Sequence, residues 1–245
     1  MAAKRNKVTV GWCHWNTDSS IGIEMLVDDP LQSLYSRDLK GHKYQYAKCP
    51  SSNEIFKNTY VLSSPFDAYF EVDLETKQIN LFSKYTNMPR EFFHLREDEY
   101  GEADEPIFSL NFHMLFVTED LGVDLRVTSP HFELPGVSPL RIIPGRVNIS
   151  DWWRPTDLAF QLSSKKEVVR IKKGDPLLYV NFSTNTPEDI IELKEIELTQ
   201  TLKDYVISTT NMKWYHPRCP LSKLYSISRA FTKKGKRPKL KFLQR

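Results

Sequence analysis

The feature that most constrains this chain is a strict alternation near its middle. Phe108, Leu110, Phe112, Met114 and Phe116 recur at every second position, with Ser109, Asn111 and His113 between them. Successive side chains of a strand point to opposite faces, so this period of two predicts a long strand with five large groups on one face. Residues 118–122, Thr-Glu-Asp-Leu-Gly, are turn material. Val123, Leu125 and Val127 then alternate with Asp124, Arg126 and Thr128 before Pro130. The expectation is a hairpin in which the second run pairs against the first.

The same grammar repeats along the chain. Short strands are predicted over 7–12, 60–62, 68–72, 79–82, 141–143, 146–149, 158–162, 168–171 and 177–182, bounded by turn residues such as Pro144-Gly145 and Gly174-Asp175-Pro176. Many short strands punctuated in this way predict an all-β chain: a sandwich or jelly-roll-like fold, or a barrel. Two or three short helices, mostly C-terminal, accompany them. One is read over 89–96, with Pro89 at its first position. Another is read over 202–207 with Thr199 as its cap, and a third follows Pro220 through Leu221, Leu224, Tyr225 and Ser228. Residues 187–198 read both ways. Thr186-Pro187-Glu188-Asp189 looks like a helix start, while Ile191, Leu193 and Glu195 alternate like an edge strand, and the strand is favoured.

A chain of 245 residues can bury a sizeable core, and 40% hydrophobic with 27% charged residues is ordinary for a globular protein. The net charge of +3 hides two opposed blocks. Glu97, Asp98, Glu99, Glu102, Asp104 and Glu105 form an acidic stretch without a base. The last seventeen residues hold eight bases and no acid, and removing those eight charges from +3 leaves a body of −5. The organisation read from this is a single β-rich domain over 1–228 and a basic C-terminal arm over 229–245. No run approaches eighteen apolar residues and the first ten residues lack an apolar core, so neither a membrane span nor a secretory signal is expected. Three cysteines make no disulfide framework and fit a reducing compartment.

The central segments carry a resemblance. Cys49-Pro50, Phe56-Lys-Asn58-Thr-Tyr60-Val, Ser64-Pro65-Phe66-Asp67, Phe116, Ser129-Pro130, Ile143-Pro144-Gly145, Asp151-Trp152-Trp153 and Gly174-Asp175-Pro176 resemble a pattern in uncharacterised proteins of tailed phages. That group looks related to a domain of unknown function shared by bacteria and viruses. The likeness spans residues 47–182 and rests on turns and strand ends. It implies a phage origin, located in the host cytoplasm or in the virion, and no activity or functional residues.

Candidate chemistry is sparse. His216-Pro-Arg-Cys219 has a His-x-x-Cys spacing, and Cys13-His14 supplies two more donors suited to tetrahedral zinc. Adjacent residues of a strand face opposite ways, however, so one ion cannot easily take both Cys13 and His14. The expectation is no bound metal and no cofactor. Gly122-Val-Asp124-Leu125, Gly145-Arg-Val-Asn148 and residues 169–175 resemble strand and turn motifs of the dUTPase barrel. At the position of that family's water-activating carboxylate stands Asn148, and an amide cannot serve as the general base. Trp152-Trp153-Arg154-Pro155 and Lys213-Trp214-Tyr215-His216 interleave rings with cations, as stacking platforms for single-stranded nucleic acid do. Large rings in a sandwich core produce the same pattern, which is the favoured reading.

The basic arm is the strongest signal. Lys233, Lys234, Lys236, Arg237, Lys239 and Lys241 are the candidate anion- or partner-binding residues, and the six acids of 97–105 are the candidate partner surface on a second copy. The expected function is that of a non-enzymatic, phage-encoded β-sandwich protein. It would be a structural or interaction component, associated with the virion and able to form a homo-oligomer, that engages a protein or a polyanion through the arm and no membrane. The alternative is a small enzyme of nucleotide or peptide modification, a dUTPase-like barrel or a cupin-type oxygenase, whose site is assembled from distant strands.

Overall fold

The structure, a computed structural model, describes residues 6–15, 31–33, 49–51, 56–82, 93–96, 107–130, 140–162, 164–215, 219–233 and 237–243. Its strands are β1 (Lys7–His14), β2 (Leu31–Ser33), β3 (Thr59–Ser63), β4 (Ala68–Asp73), β5 (Gln78–Leu81), β6 (Phe93–Arg96) and β7 (Ile107–Val117). They continue with β8 (Asp124–Thr128), β9 (Leu140–Ile142), β10 (Gly145–Asn148), β11 (Pro155–Leu162), β12 (Lys166–Ile171), β13 (Pro176–Ser183) and β14 (Ile190–Glu195). Two helices follow, α1 (Gln200–Tyr215) and α2 (Leu221–Lys233). The all-β expectation is met, with these helices at the C-terminal end.

The first sheet runs β14-β1-β7-β11-β9, and β6 also pairs with β7. Because β11 takes one edge of β7, β1 and β6 share the other edge at its two ends. A second sheet runs β10-β8-β13-β3-β2 and a third β12-β4-β5. Phe108, Leu110, Met114 and Phe116 of β7 are all buried in one cluster with side chains of the other two sheets. Phe116 meets Phe182 of β13 at 5.5 Å and Phe108 meets Phe70 of β4 at 5.2 Å between ring centroids. The side chains of Asn111 and Phe112 lie outside the described residues.

The opposite face of the first sheet is buried too. Cys13, Leu115 and Val117 pack with Trp153 against Leu202, Tyr205 and Val206 of α1. The molecule therefore stacks sheets, sheet and helix, with β7 covered on both sides. Thr199 Oγ1 accepts the Leu202 N–H at 3.2 Å and caps α1, which runs well beyond the six residues expected.

Two expectations are corrected. The hairpin of β7 and β8 does not form: β8 pairs with β10 and β13 in the second sheet. Leu125 and Val127 still enter the core beside β7, but from the facing layer. Alternation reports which face of a strand is apolar, and an arch between sheets satisfies it as well as a hairpin does. The arch is pinned to β1. Thr118 Oγ1 donates to the Thr9 carbonyl at 2.7 Å, and the Thr9 N–H donates to Asp120 Oδ2 at 3.0 Å. Gly122 closes the turn at φ 72°, where side chains are strained and an added Cβ would lie 2.9 Å from Asn185 Nδ2. The second correction concerns 93–96, which is strand rather than helix. There Phe93 is buried and His94 exposed, and the segment pairs with β7; residues 89–92 lie outside the described residues.

Edge strand β14 joins β1 in parallel, Lys7 opposite Ile190 through Trp12 opposite Glu195. At Ile191 its outer backbone groups are taken by side chains at the start of β3 and just before it. Asn58 Oδ1 accepts the Ile191 N–H at 2.9 Å, and Tyr60 Oη donates to the Ile191 carbonyl at 3.0 Å. Capping of this kind blunts an edge that would otherwise template aggregation. Burial holds the Tyr60 phenol above its ordinary pKa range. Tyr60→Phe removes the donor and leaves a carbonyl of the edge unsatisfied, for an expected loss of about 1–3 kcal/mol in a urea titration. A midpoint equal to that of the parent chain would show that Tyr60 Oη does not secure the edge.

Candidate interaction surface

The C-terminal basic segment is attached to the body. The boundary read at residue 228 falls inside α2, which continues through Arg229 to Lys233. Arg229 lies 3.5 Å from Asp151 Oδ1. Beyond the helix, Arg237 stacks on the Trp153 ring with its guanidinium carbon 4.6 Å from the centroid, and Nη2 donates to the Ser150 carbonyl. The Leu240 N–H donates to Glu119 Oε1 at 3.0 Å, and its side chain packs on the cluster around Trp153. Phe242 bridges Ile196 in antiparallel sense, flanked by Glu197 N–H to the Lys241 carbonyl at 2.9 Å and Leu243 N–H to the Glu195 carbonyl at 3.0 Å. Gly11 leaves room for this dock, because a Cβ there would lie 2.8 Å from Ile196 Cγ2 and 3.4 Å from Leu240 Cδ1. Within the basic arm read over 229–245, residues 237–243 are thus docked on the body, and Leu240 supplies an apolar anchor that net charge conceals.

The candidate cations thus divide. Arg237 is spent on the body, and Lys241 lies 3.7 Å from Glu197 while 68% of its side chain stays exposed. Lys239 is exposed. The side chain of Lys233, all of Lys234 and Lys236, and the acidic stretch Glu97 to Glu105 lie outside the described residues. In sequence, Lys234 and Lys236 fall between two attached points, α2 and Arg237.

The ring-and-cation motif proves to be core. Trp152 and Trp153 are both buried, and neither offers a stacking face to solvent. Thr209 of α1 ties them down: Trp152 Nε1 donates to its carbonyl at 2.8 Å, and its Oγ1 donates to the Trp153 carbonyl at 2.6 Å. The side chains of Lys213 to His216 lie outside the described residues.

Cys13 and His14 do face opposite ways. Cys13 belongs to the helix-side cluster, whereas the His14 ring sits 6.0 Å from that of Trp12 on the sandwich side. Burial lowers the His14 pKa to about 4, so the ring is neutral near pH 7. Among the described residues no three His, Cys, Asp or Glu side chains gather as metal ligands. The fold does bring the two strand-end motifs that resemble dUTPase together, Asp124 opposite Asn148 across β8 and β10. Asp124 is engaged by Arg146 Nη2 at 2.5 Å, and Asn148 Oδ1 accepts the Asp151 N–H at 3.0 Å. Asn148 shapes a turn here. Residues 169–175 lead elsewhere, from β12 of the third sheet into a turn whose Gly174 N–H donates to the Ser64 carbonyl at 2.8 Å.

No family model matches the chain, and neither a curated protein nor a solved structure shows significant similarity to it.

Proposed function

We propose that the chain is a non-enzymatic β-sandwich protein of phage origin, a structural or interaction component of the host cytoplasm or the virion. It works through a basic C-terminal segment that presents charge to an anionic partner. The observation that supports this is the docking of residues 237–243 beside α2. Lys233, Lys234, Lys236 and Lys239 therefore belong to a segment held at both ends, and holding it reduces the ordering cost that a free tail would meet on binding. Multiple cations without an interleaved acid neutralise phosphates or carboxylates by releasing counterions, which makes affinity fall steeply with salt.

The test uses the full chain and its variant with Lys233, Lys234, Lys236 and Lys239 each replaced by Gln. Heparin and a short DNA duplex serve as probes, and light scattering reads self-association through the acidic 97–105 stretch. The parent chain should bind a probe or itself with an affinity that drops about tenfold or more between 50 and 200 mM salt, and the variant should lose that slope. Salt-independent association, or a variant that behaves like the parent, overturns the reading.

A further inference from the structure

We propose that the outer edge of β12 takes an extended acidic peptide as an added strand, widening the third sheet. The site uses no residue of the C-terminal segment and does not rest on the role proposed for it. Among the described residues, β12 ends its sheet and pairs with β4 alone. The Leu74 N–H donates to the Lys165 carbonyl at 2.8 Å, which sets the phase of the ladder. Glu167, Val169 and Ile171 turn their backbone groups toward β4, so Lys166, Val168 and Arg170 turn theirs outward.

The chain itself closes both ends of this row. Ser164 Oγ donates to the Lys166 carbonyl at 2.6 Å. At the other end Asp175 Oδ2 accepts the Lys172 N–H at 2.8 Å, and the Asp175 N–H donates to the Lys172 carbonyl at 2.9 Å. Between these caps the N–H and C=O of Val168 and of Arg170 have no hydrogen-bond partner among the described residues. Both residues are exposed, Val168 at 48%. Donors and acceptors alternate along such an edge at the repeat of a strand, about 7 Å. A polypeptide supplies the matching alternation, whereas a phosphate backbone supplies acceptors alone.

Charge selects the kind of peptide. Residues 165–173 read Lys-Lys-Glu-Val-Val-Arg-Ile-Lys-Lys. The first two cations have acids of their own: Lys165 lies 3.5 Å from Glu75, and Lys166 lies 3.3 Å from Glu71. Arg170, Lys172 and Lys173 make no ion pair among the described residues. Asp67 and Asp175 stand at that end, and each gives an oxygen to a backbone N–H, of Lys173 at 2.9 Å and of Lys172 at 2.8 Å. Glu167, the strand's one acid, lies on the opposite face from Arg170. Like charges keep a second copy of this edge away, a common guard of edge strands. The same cations favour a strand with acids on the face that meets Arg170. Its other face would lie beside Val169 and Ile171, both buried, so the fitting sequence alternates acidic and apolar residues.

Fluorescence anisotropy of a labelled heptapeptide alternating Glu with Val, titrated with the full chain, tests the site. The peptide should saturate one site, about tenfold tighter than its fully N-methylated counterpart or a Lys-Val heptapeptide, since only it offers both backbone donors and acids. V168P removes an N–H that β4 does not use, a position where an edge strand tolerates proline, and should weaken binding about tenfold or more. R170E/K172E alters two exposed side chains, should reverse the preference toward the Lys-Val peptide, and carries the test if V168P disturbs the sheet. The variant with Lys233, Lys234, Lys236 and Lys239 replaced by Gln should bind the acidic peptide as the parent does, which keeps this test independent of the C-terminal reading. Binding lost in that variant places the peptide on the C-terminal segment and overturns the proposal. Equal binding of the N-methylated peptide, no saturation, indifference to R170E/K172E, or a DNA single strand that binds this edge in the peptide's place overturns it as well.

Discussion

Replacing Trp153 by Ala is expected to cost about 3–5 kcal/mol of folding stability, the range for emptying a buried aromatic site. Trp153 is fully buried where three parts of the chain meet. It packs on Leu115 and Val117 of β7, meets the Tyr205 ring of α1 at 5.3 Å, and carries the Arg237 guanidinium on its face. Loss of the ring therefore opens a cavity between sheet and helix and also removes the platform of the C-terminal segment. Urea unfolding monitored by circular dichroism measures the first effect. Protease susceptibility near residue 237 measures the second, which should rise because the cation–π contact, worth about 0.5–2 kcal/mol, is gone. Arg237→Ala alone should loosen the segment while leaving most of the body's stability intact. A Trp153→Ala chain as stable as the parent would mean that α1 does not rest on β7 in the way described.

Acid should weaken the fold in a window set by His14. Burial takes its pKa from 6.5 to about 4. The unfolded chain then binds a proton at a higher pH than the folded one does, so stability rises with pH across the interval. Stability tied to the neutral ring is complete above about pH 6.5 and is lost as pH falls toward 4. At about 1.4 kcal/mol for each tenfold change in proton affinity, the loss amounts to about 3 kcal/mol. Denaturant midpoints at pH 7, 5.5 and 4 follow it directly. His14→Gln should lower stability at pH 7 by less than the acid effect and flatten the profile between pH 6.5 and 4. A profile equally steep in that variant would place the titrating group elsewhere.

Much of the fold was legible from periodicity. β7, β8 and β11 were read from alternation, and β13 from the apolar run that follows the turn Gly174-Asp175-Pro176. The C-terminal helices were legible from Thr199 and Pro220, whose side-chain chemistry marks a helix start locally. The edge strand β14 was favoured on Ile191, Leu193 and Glu195, although its parallel partnership with β1 was not visible. Reading failed once by partner, where β8 was placed beside β7, and once by element type, where 93–96 was made a helix by the weight of Pro89.

The candidate site divides along the same line. Lys233 to Lys241 stand out in the sequence because a run of charge is a local property. That Arg237 lies on Trp153, that Leu240 enters the helix-side cluster, and that Gly11 makes room for it depend on residues 84 to more than 200 positions away. Arg154 was visible only within the motif Trp152-Trp153-Arg154-Pro155, and Arg146 only inside a strand and turn motif. That both line one cleft follows from the fold, which brings β10 of the second sheet close to the start of β11 in the first. The sequence by itself determined which faces are apolar, where turns and helix starts fall, and how charge is divided between body and C-terminus. Tertiary structure alone decided which sheet each strand joins, which cations are engaged by the body, and where a cleft stays open. Alternation and capping are written in neighbours along the chain, whereas pairing and enclosure are settled by burying faces that the chain keeps far apart.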